Sequence, residues 1–494
     1  MSAARGCGEQ IDLSDDADTP PFERRDGQQR SAIGRAVRAL TSIADARRLS
    51  RGPRDLPDSA HQDFGKFLQP EFRADGEETG RLALSSRPPP SAVTGLLRLA
   101  STVREDASFF RSKEIAMTTS SVQAYLEATR RVISDVIAPR AVEVDRAGMF
   151  PRAAVDALGK AGLLGLTMSA DSGGGGQSLR AAAEVVEEIA QSCGSTAMVM
   201  CMHYTGAALL DAQGSDEVKR EIAAGRHLSS VAFSEAGSRS HFWAPLGTAV
   251  QEGDDVQLDA SKIWVTSATE ADSYVWSTRS LASPEKVTLF YVPSKTPGLT
   301  TRGTFDGLGL RGNQSCPVTA TKALIPIRNL LGEDGDGFDY MMEIGLPVFN
   351  TLCSAMNLGL AESAMARTVE HVLAMLAEPA PQKASDPVAI RANLARMSLK
   401  TATARFFLND TLKAVESGRE DTLLRIIEVK AAAGEAAAEV TDLGMRVCGG
   451  AAFRKEVGVD RFFRDARAAG VMAPSTNMLY EMIGRSLCKL PLFG

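Results

Sequence analysis

The hydrophobic period of this 494-residue chain changes twice, and that double change limits the folds open to it. From Ser121 the apolar residues Val122, Leu126, Val132, Ile133, Val136 and Ile137 recur mostly three and four apart, as on one face of an amphipathic helix. Pro139 is expected to interrupt that helix, because it has no amide hydrogen and its ring crowds the preceding turn. Further helices are expected over Arg152–Leu164, Leu179–Ser192 and Ala197–Leu210, with Gly173–Gly176 as a loop. Near residue 229 the pattern shortens. Ser229–Ser234, Gly247–Gln251, Val256–Leu258, Trp264–Thr266, Ser273–Ser277 and Val287–Val292 are brief runs, often β-branched or aromatic. Turn signals such as Gly253-Asp254-Asp255 and Pro284-Glu285 separate them. An all-β insert therefore reaches to about Ile327, and after Gly332 long Ala-, Leu- and Met-rich helical stretches run through Leu490. The class is α+β, mostly α.

Residues 1–116 do not fit either period. They carry Asp15-Asp16-Ala17-Asp18, Arg51-Gly52-Pro53-Arg54 and Arg87-Pro88-Pro89-Pro90, with too little apolar surface to offset the entropy of ordering. The expectation is a disordered extension, or a start assigned too early with Met117 as the true one. The segment lacks an early apolar stretch for secretion and is too acidic for a mitochondrial transit peptide. The remaining divisions are a helical domain over 117–229, a β-barrel over 230–330 and a helical bundle over 331–494.

Composition excludes some classes of function. A net charge of −6 argues against a nucleic-acid partner, which asks for a basic face. No run of eighteen apolar residues appears, so no membrane span is expected. Seven scattered cysteines without CxxC pairs suit free thiols in a reducing cytoplasm, and five histidines, none paired at i, i+4, make a metal site unexpected.

Four segments carry chemistry. They are Phe233-Ser234-Glu235-Ala236-Gly237-Ser238-Arg239-Ser240-His241; Ser261-Lys262-Ile263-Trp264-Val265-Thr266-Ser267; Arg446-Val447-Cys448-Gly449-Gly450-Ala451-Ala452-Phe453; and the stretch from Arg464-Asp465-Ala466 to Ala473-Pro474-Ser475-Thr476-Asn477. In this order they resemble the signatures of the acyl-CoA dehydrogenase family, over roughly Ser121 to the C-terminus. Leu310-Arg311-Gly312-Asn313-Gln314-Ser315, with Gly335, Gly337 and Phe338, resembles the exit from that family's barrel. The resemblance implies an N-terminal helical domain, a central β-barrel and a C-terminal four-helix bundle, assembled as a homodimer or homotetramer through the bundle.

It also implies FAD. Ser234 would contact the flavin ring and Ser240 the diphosphate, with Phe233 and Thr476 as further cofactor contacts. Trp264 would cover one flavin face, and Thr266, two residues on along a strand, would share its side and reach the ring. Gly449 and Gly450, with Arg446 where the family has Gln, would bring backbone near a partner subunit's diphosphate. Arg239 stands where the family has Gly, placing a cation beside a phosphate or the substrate, and His241 where it has Asp. The family's Arg-x-x-Phe-Gly is replaced by Ala377-Glu378-Pro379-Ala380-Pro381-Gln382-Lys383.

The departure with most consequence is a missing carboxylate. The family's Glu-Gly-Thr, whose Glu takes the substrate's α-proton, reads Ala473-Pro474-Ser475, and Phe349 fills the alternative Glu position. Ala473 and Phe349 are therefore expected to face the substrate instead. General-base help is worth about 10²–10⁴-fold, so ordinary α,β-dehydrogenation should nearly vanish. Three readings stay open. The chain is a flavin oxygenase or oxidase acting with O₂ on an acyl-CoA or a cyclic or aromatic-derived relative, with His203 or His241 as candidate proton donors. It is a dehydrogenase with a relocated base, Glu343 or Glu362. Or it is a non-catalytic flavoprotein.

Overall fold

The computed structural model describes residues 124–238, 241–377 and 387–493. The extension expected over 1–116, the positions Arg239 and Ser240, and the loop residues 378–383 lie outside them.

The first helix, α1, runs from residue 124 through a π-helical turn, Ile133–Ile137, into Ala138–Ala147. Pro139 does not break it. The Ala138 amide reaches back five residues to the Ile133 carbonyl, so the wide turn is complete before the proline, which sits in the first turn of the Ala138–Ala147 segment. The helix stops at Gly148, whose left-handed φ of 62° returns its amide to Asp145 and Val144. Then come α2 (Arg152–Lys160), α3 (Leu179–Ala190), α4 (Gly194–Gln213) and α5 (Asp216–Ala223), the last capped by the Ser215 hydroxyl on the Val218 amide. Most of α4 is buried, which explains why its sequence shows no polar stripe.

The central domain holds two four-stranded sheets. One has the order β1 (Ser229–Ala232), β4 (Ser273–Arg279), β5 (Val287–Pro293) and β8 (Leu330–Leu331). The other has the order β2 (Thr248–Glu252), β3 (Asp255–Val265), β7 (Cys316–Pro326) and β6 (Leu299–Thr301). Pairing is antiparallel except between β1 and β4. Trp276, Phe290, Val256, Leu258 and Ile325 fill the space between the sheets. The two runs expected at Val256–Leu258 and Trp264–Thr266 are one strand, β3. Irregularities at Leu258/Ala260 and Lys262/Val265 disturb its alternation, and a strand whose register slips does not keep a period of two.

The C-terminal part consists of α6, α7 (Pro387–Ser417), α8 (Thr422–Cys448), α9 (Val459–Ala466) and α10 (Thr476–Leu487). Helix α6 joins Gly337–Tyr340, a π turn at Met341–Gly345 and Leu346–Ala377. By length and composition Gly337–Met375 could cross a membrane, but 83% of its apolar window is buried inside the protein, where it packs on α3, α4, α7 and α8. Close approach of α8 is allowed by the small buried residues Ala431, Ala433, Gly434 and Ala437.

The Arg464-Asp465 pair ties the three parts together. Asp465, fully buried and raised by burial to about 6, accepts the Leu310 amide at 2.6 Å. Arg464 forks onto Asp145 of α1 at 2.6 and 2.8 Å and reaches Asp460 at 3.1 Å. A pair that stands out in the sequence as a family signature thus anchors the bundle to both other domains.

Candidate active site

Where the three parts meet, a mostly apolar cavity opens. Met202 and Thr205 come from α4, Val231 from β1, and Phe233 and Ser234 from the loop after it. Ile263 and Trp264 come from the end of β3, Phe242 from a loop, Gly345, Leu346 and Phe349 from α6, and Ala473 from the segment before α10.

Five of the residues expected at the site therefore line this one space: Phe233, Ser234, Trp264, Phe349 and Ala473. The Ile263 amide donates to the Ser234 carbonyl at 2.9 Å, which holds the first two motifs side by side. Trp264 is 66% exposed, with φ at 59°, an uncommon conformation for a bulky residue. A flat, exposed indole on the wall of an apolar cavity leaves a surface that a second flat ring can cover.

Thr266 corrects the expectation that it shares a side with Trp264. The strand ends at Val265, Trp264 turns left-handed, and Thr266 is buried with its hydroxyl 3.1 Å from that of Ser315. Its carbonyl accepts from Ser230 at 2.7 Å. Period-two alternation fails here because the strand has already ended.

Two lysines missed in the sequence support the cavity. Lys262 is fully buried and donates to Glu235 at 2.5 Å and to the Ser277 carbonyl at 2.6 Å. Glu235 also accepts the amides of Leu246 and Gly247 at 2.7 and 2.9 Å. Burial pushes the Lys262 ammonium down to about 8. The signal was present, since Glu235 and Lys262 sit inside the Ser234 and Trp264 motifs. Lys430 of α8, also buried, donates to the Pro474 carbonyl at 2.5 Å and the Met472 carbonyl at 3.0 Å, on either side of Ala473. Its ammonium lies 5.5 Å from the Phe349 ring centroid, and burial lowers its pKa.

Both histidines fall outside the cavity lining. His203 is fully buried, with Nε2 2.9 Å from the Leu164 carbonyl and Nδ1 accepting the Ser229 amide at 3.2 Å. The accepted amide fixes the proton on Nε2, and burial pushes the pKa to about 4, so this ring is a neutral tie and not a proton donor to the cavity. Nδ1 of His241 lies 3.0 Å from the Ser238 carbonyl, and the ring meets Trp243 edge-on. Glu362 is bound to Arg405 and to Gln191, and neither it nor Glu343 lines the cavity. Arg446 is exposed and paired with Asp442 at 2.8 Å. Gly449 and Gly450 are exposed with open space where side chains would stand, and Thr476 opens α10 outside the lining. Arg239 and Ser240 lie outside the described residues.

Family models for the acyl-CoA dehydrogenase N-terminal, middle and C-terminal domains match residues 119–225, 230–323 and 335–488. The chain belongs to the acyl-CoA dehydrogenase family. Among its relatives, the human mitochondrial short-chain specific acyl-CoA dehydrogenase is 30% identical over 70% of this chain and 84% of that protein. A cyclohex-1-ene-1-carbonyl-CoA dehydrogenase of Geobacter metallireducens is 28% identical over 73% of this chain and 96% of the relative. The butyryl-CoA dehydrogenase of Megasphaera elsdenii shares the fold, with a TM-score of 0.69 at 22% identity over 74% of this chain and 98% of that one. So does a prolyl acyl carrier protein oxidase, AnaB, with a TM-score of 0.66 at 19% identity over 73% and 98%.

This acyl-CoA dehydrogenase relative is an FAD-dependent oxidoreductase. The residues present fit the flavin. Trp264 would offer the ring a face and Ser234 would border it with polar atoms, while most of the remaining lining is apolar. What the lining lacks is a carboxylate: among the described residues that form it, none is acidic.

Proposed function

We propose that this protein is a flavin oxygenase or oxidase acting with O₂ on a compact acyl-CoA thioester, cyclic or aromatic-derived. The observation that carries this reading is the lining of the cavity, where Ala473 and Phe349 occupy both positions at which the family places its carboxylate. Bound FAD supplies two-electron redox chemistry and, once reduced, a route for electrons to O₂. The chain's own residues supply the rest. Trp264 and Ser234 hold and orient the ring, while Phe233, Phe349 and Leu346 keep water away from it. Lys430 fixes the wall at Ala473 through two carbonyls.

The ring-shaped substrate is supported by the relative named for cyclohex-1-ene-1-carbonyl-CoA and by the aromatic walls. The chain assembles through its bundle as a homodimer or homotetramer. Supporting this, Leu373 of α6 and Leu399 and Phe406 of α7 are 63, 69 and 75% exposed, and Arg446, Gly449 and Gly450 stand free of their own cavity. The alternative, dehydrogenation with a relocated base, is weakened by the engagement of Glu362 elsewhere.

The test is oxygen uptake by flavin-loaded protein across a panel of acyl-CoA thioesters, followed by product masses. O₂ consumption supports the reading, with oxygen in the product marking an oxygenase and hydrogen peroxide an oxidase. Loss of two hydrogens to an artificial acceptor with no O₂ consumed rejects it.

A further inference from the structure

The loop after the flavin motif ends in a run of aromatic rings that the flavin reading leaves unused. Phe242 is buried, lines the cavity with Phe349 and Ala473, and lies nearly parallel to Phe233, 6.4 Å between centroids and 16° between planes. Trp243 meets Phe242 edge-on at 5.1 Å. Phe493, next to last in the chain, meets Trp243 at 5.3 Å and Phe338 at 5.6 Å, both edge-to-face. Rings at such separations and angles attract one another beyond the area they bury. The tail is seated, not loose: Leu492 and Phe493 pack beside Ile427 of α8 and Leu479 and Met482 of α10, and Arg485 donates to the Pro491 carbonyl at 2.5 Å.

The geometry points to a size gate in which Phe242 limits the cavity to compact acyl groups and the C-terminal Phe493 holds Phe242 there through Trp243. This rests on the acyl-thioester reading above. One cavity has to take the flavin ring system and the acyl group together, so the Phe242 ring on its wall occupies room that a long chain needs. Removing that ring opens the room without touching the Ala473 or Phe349 walls. Removing Phe493 instead leaves every lining residue in place and takes away the support behind Trp243, along with contacts to Phe338 and to α8 and α10 that lie outside the lining.

Isothermal titration calorimetry of the flavin-loaded protein with cyclohexanecarbonyl-CoA and dodecanoyl-CoA reads binding apart from turnover. The unaltered protein should favour the ring thioester. Phe242→Ala should raise dodecanoyl-CoA affinity about tenfold while moving the ring thioester less than about threefold. Phe493→Ala should shift the preference the same way by a smaller factor, and it decides alone if Phe242→Ala does not fold. An unchanged preference in the folded variants overturns the gate and leaves the substrate reading standing. If the unaltered protein takes up FAD but binds neither thioester, the substrate reading fails, and the acyl gate with it.

Discussion

Lys262 and Glu235, 2.5 Å apart and both buried, join the strand that carries Trp264 to the loop that carries Ser234. The pair therefore fixes the distance between the two walls a flavin ring has to touch. Lys262→Met strands the Glu235 carboxylate in a dry interior, and breaking a buried pair from one side costs about 3–5 kcal/mol. Denaturant unfolding should show that loss. The double variant Glu235→Gln, Lys262→Met should recover part of it, because no buried charge is left alone.

Trp264 is held by the backbone and exposed by the fold, so its ring adds little to the stability of the protein without flavin. Trp264→Ala should leave the unfolding midpoint of that form nearly unchanged. FAD affinity should fall about tenfold, the scale of one lost aromatic contact. Titration followed by flavin fluorescence checks it, and equal affinity in the two proteins would reject this role for the indole.

Ala473→Glu restores an acid at the wall of the cavity. If position 473 alone accounts for the missing chemistry, dehydrogenation of an acyl-CoA measured with an artificial acceptor should rise by about 10²-fold or more.

His203 gives a pH signature. Its folded pKa of about 4 lies below the usual 6.5, so between those values the unfolded chain binds the proton and the folded chain does not. Stability from this group is complete above about 6.5, falls as pH drops towards 4, and then levels off; the full swing is about 3 kcal/mol. Comparing His203→Gln with the parent isolates it from Asp465, whose raised pKa of about 6 acts in the opposite sense. The stability gap between the two proteins should narrow as pH falls from 6.5 to 4.

The exposed row on α7 bears on assembly. Leu399→Asp with Phe406→Asp should shift the light-scattering mass towards the monomer, because two desolvated carboxylates oppose contact. An unchanged mass would move the interface elsewhere.

Much of this was legible in the chain, and the failures have physical causes. The switch from helical to strand period near 229 and back after 332 is a direct imprint of which faces are buried. The Ser234 and Trp264 segments could be placed together because their spacing matched a known pattern. Thr266 was put on the same side as Trp264 because alternation assumes a strand that continues, and this one ends between them. Pro139 was read as a break because a π turn has no signature in hydrophobic spacing. His203 looked functional because sequence cannot tell a ring tied at both nitrogens from one open to a cavity. Lys262 and Lys430 were passed over because a buried lysine is the exception, and only long-range contacts reveal its partners.

The clamp that α8 places on the segment before α10 has one more consequence. Lys430 holds the carbonyls of Met472 and Pro474, and a main-chain carbonyl is supplied by every amino acid. The side chain at 473 takes no part in that clamp and works as a socket. A lineage could lose a base there and regain one by a single codon change without passing through a misfolded ancestor. Reaction type would then drift on a scaffold whose architecture stays still.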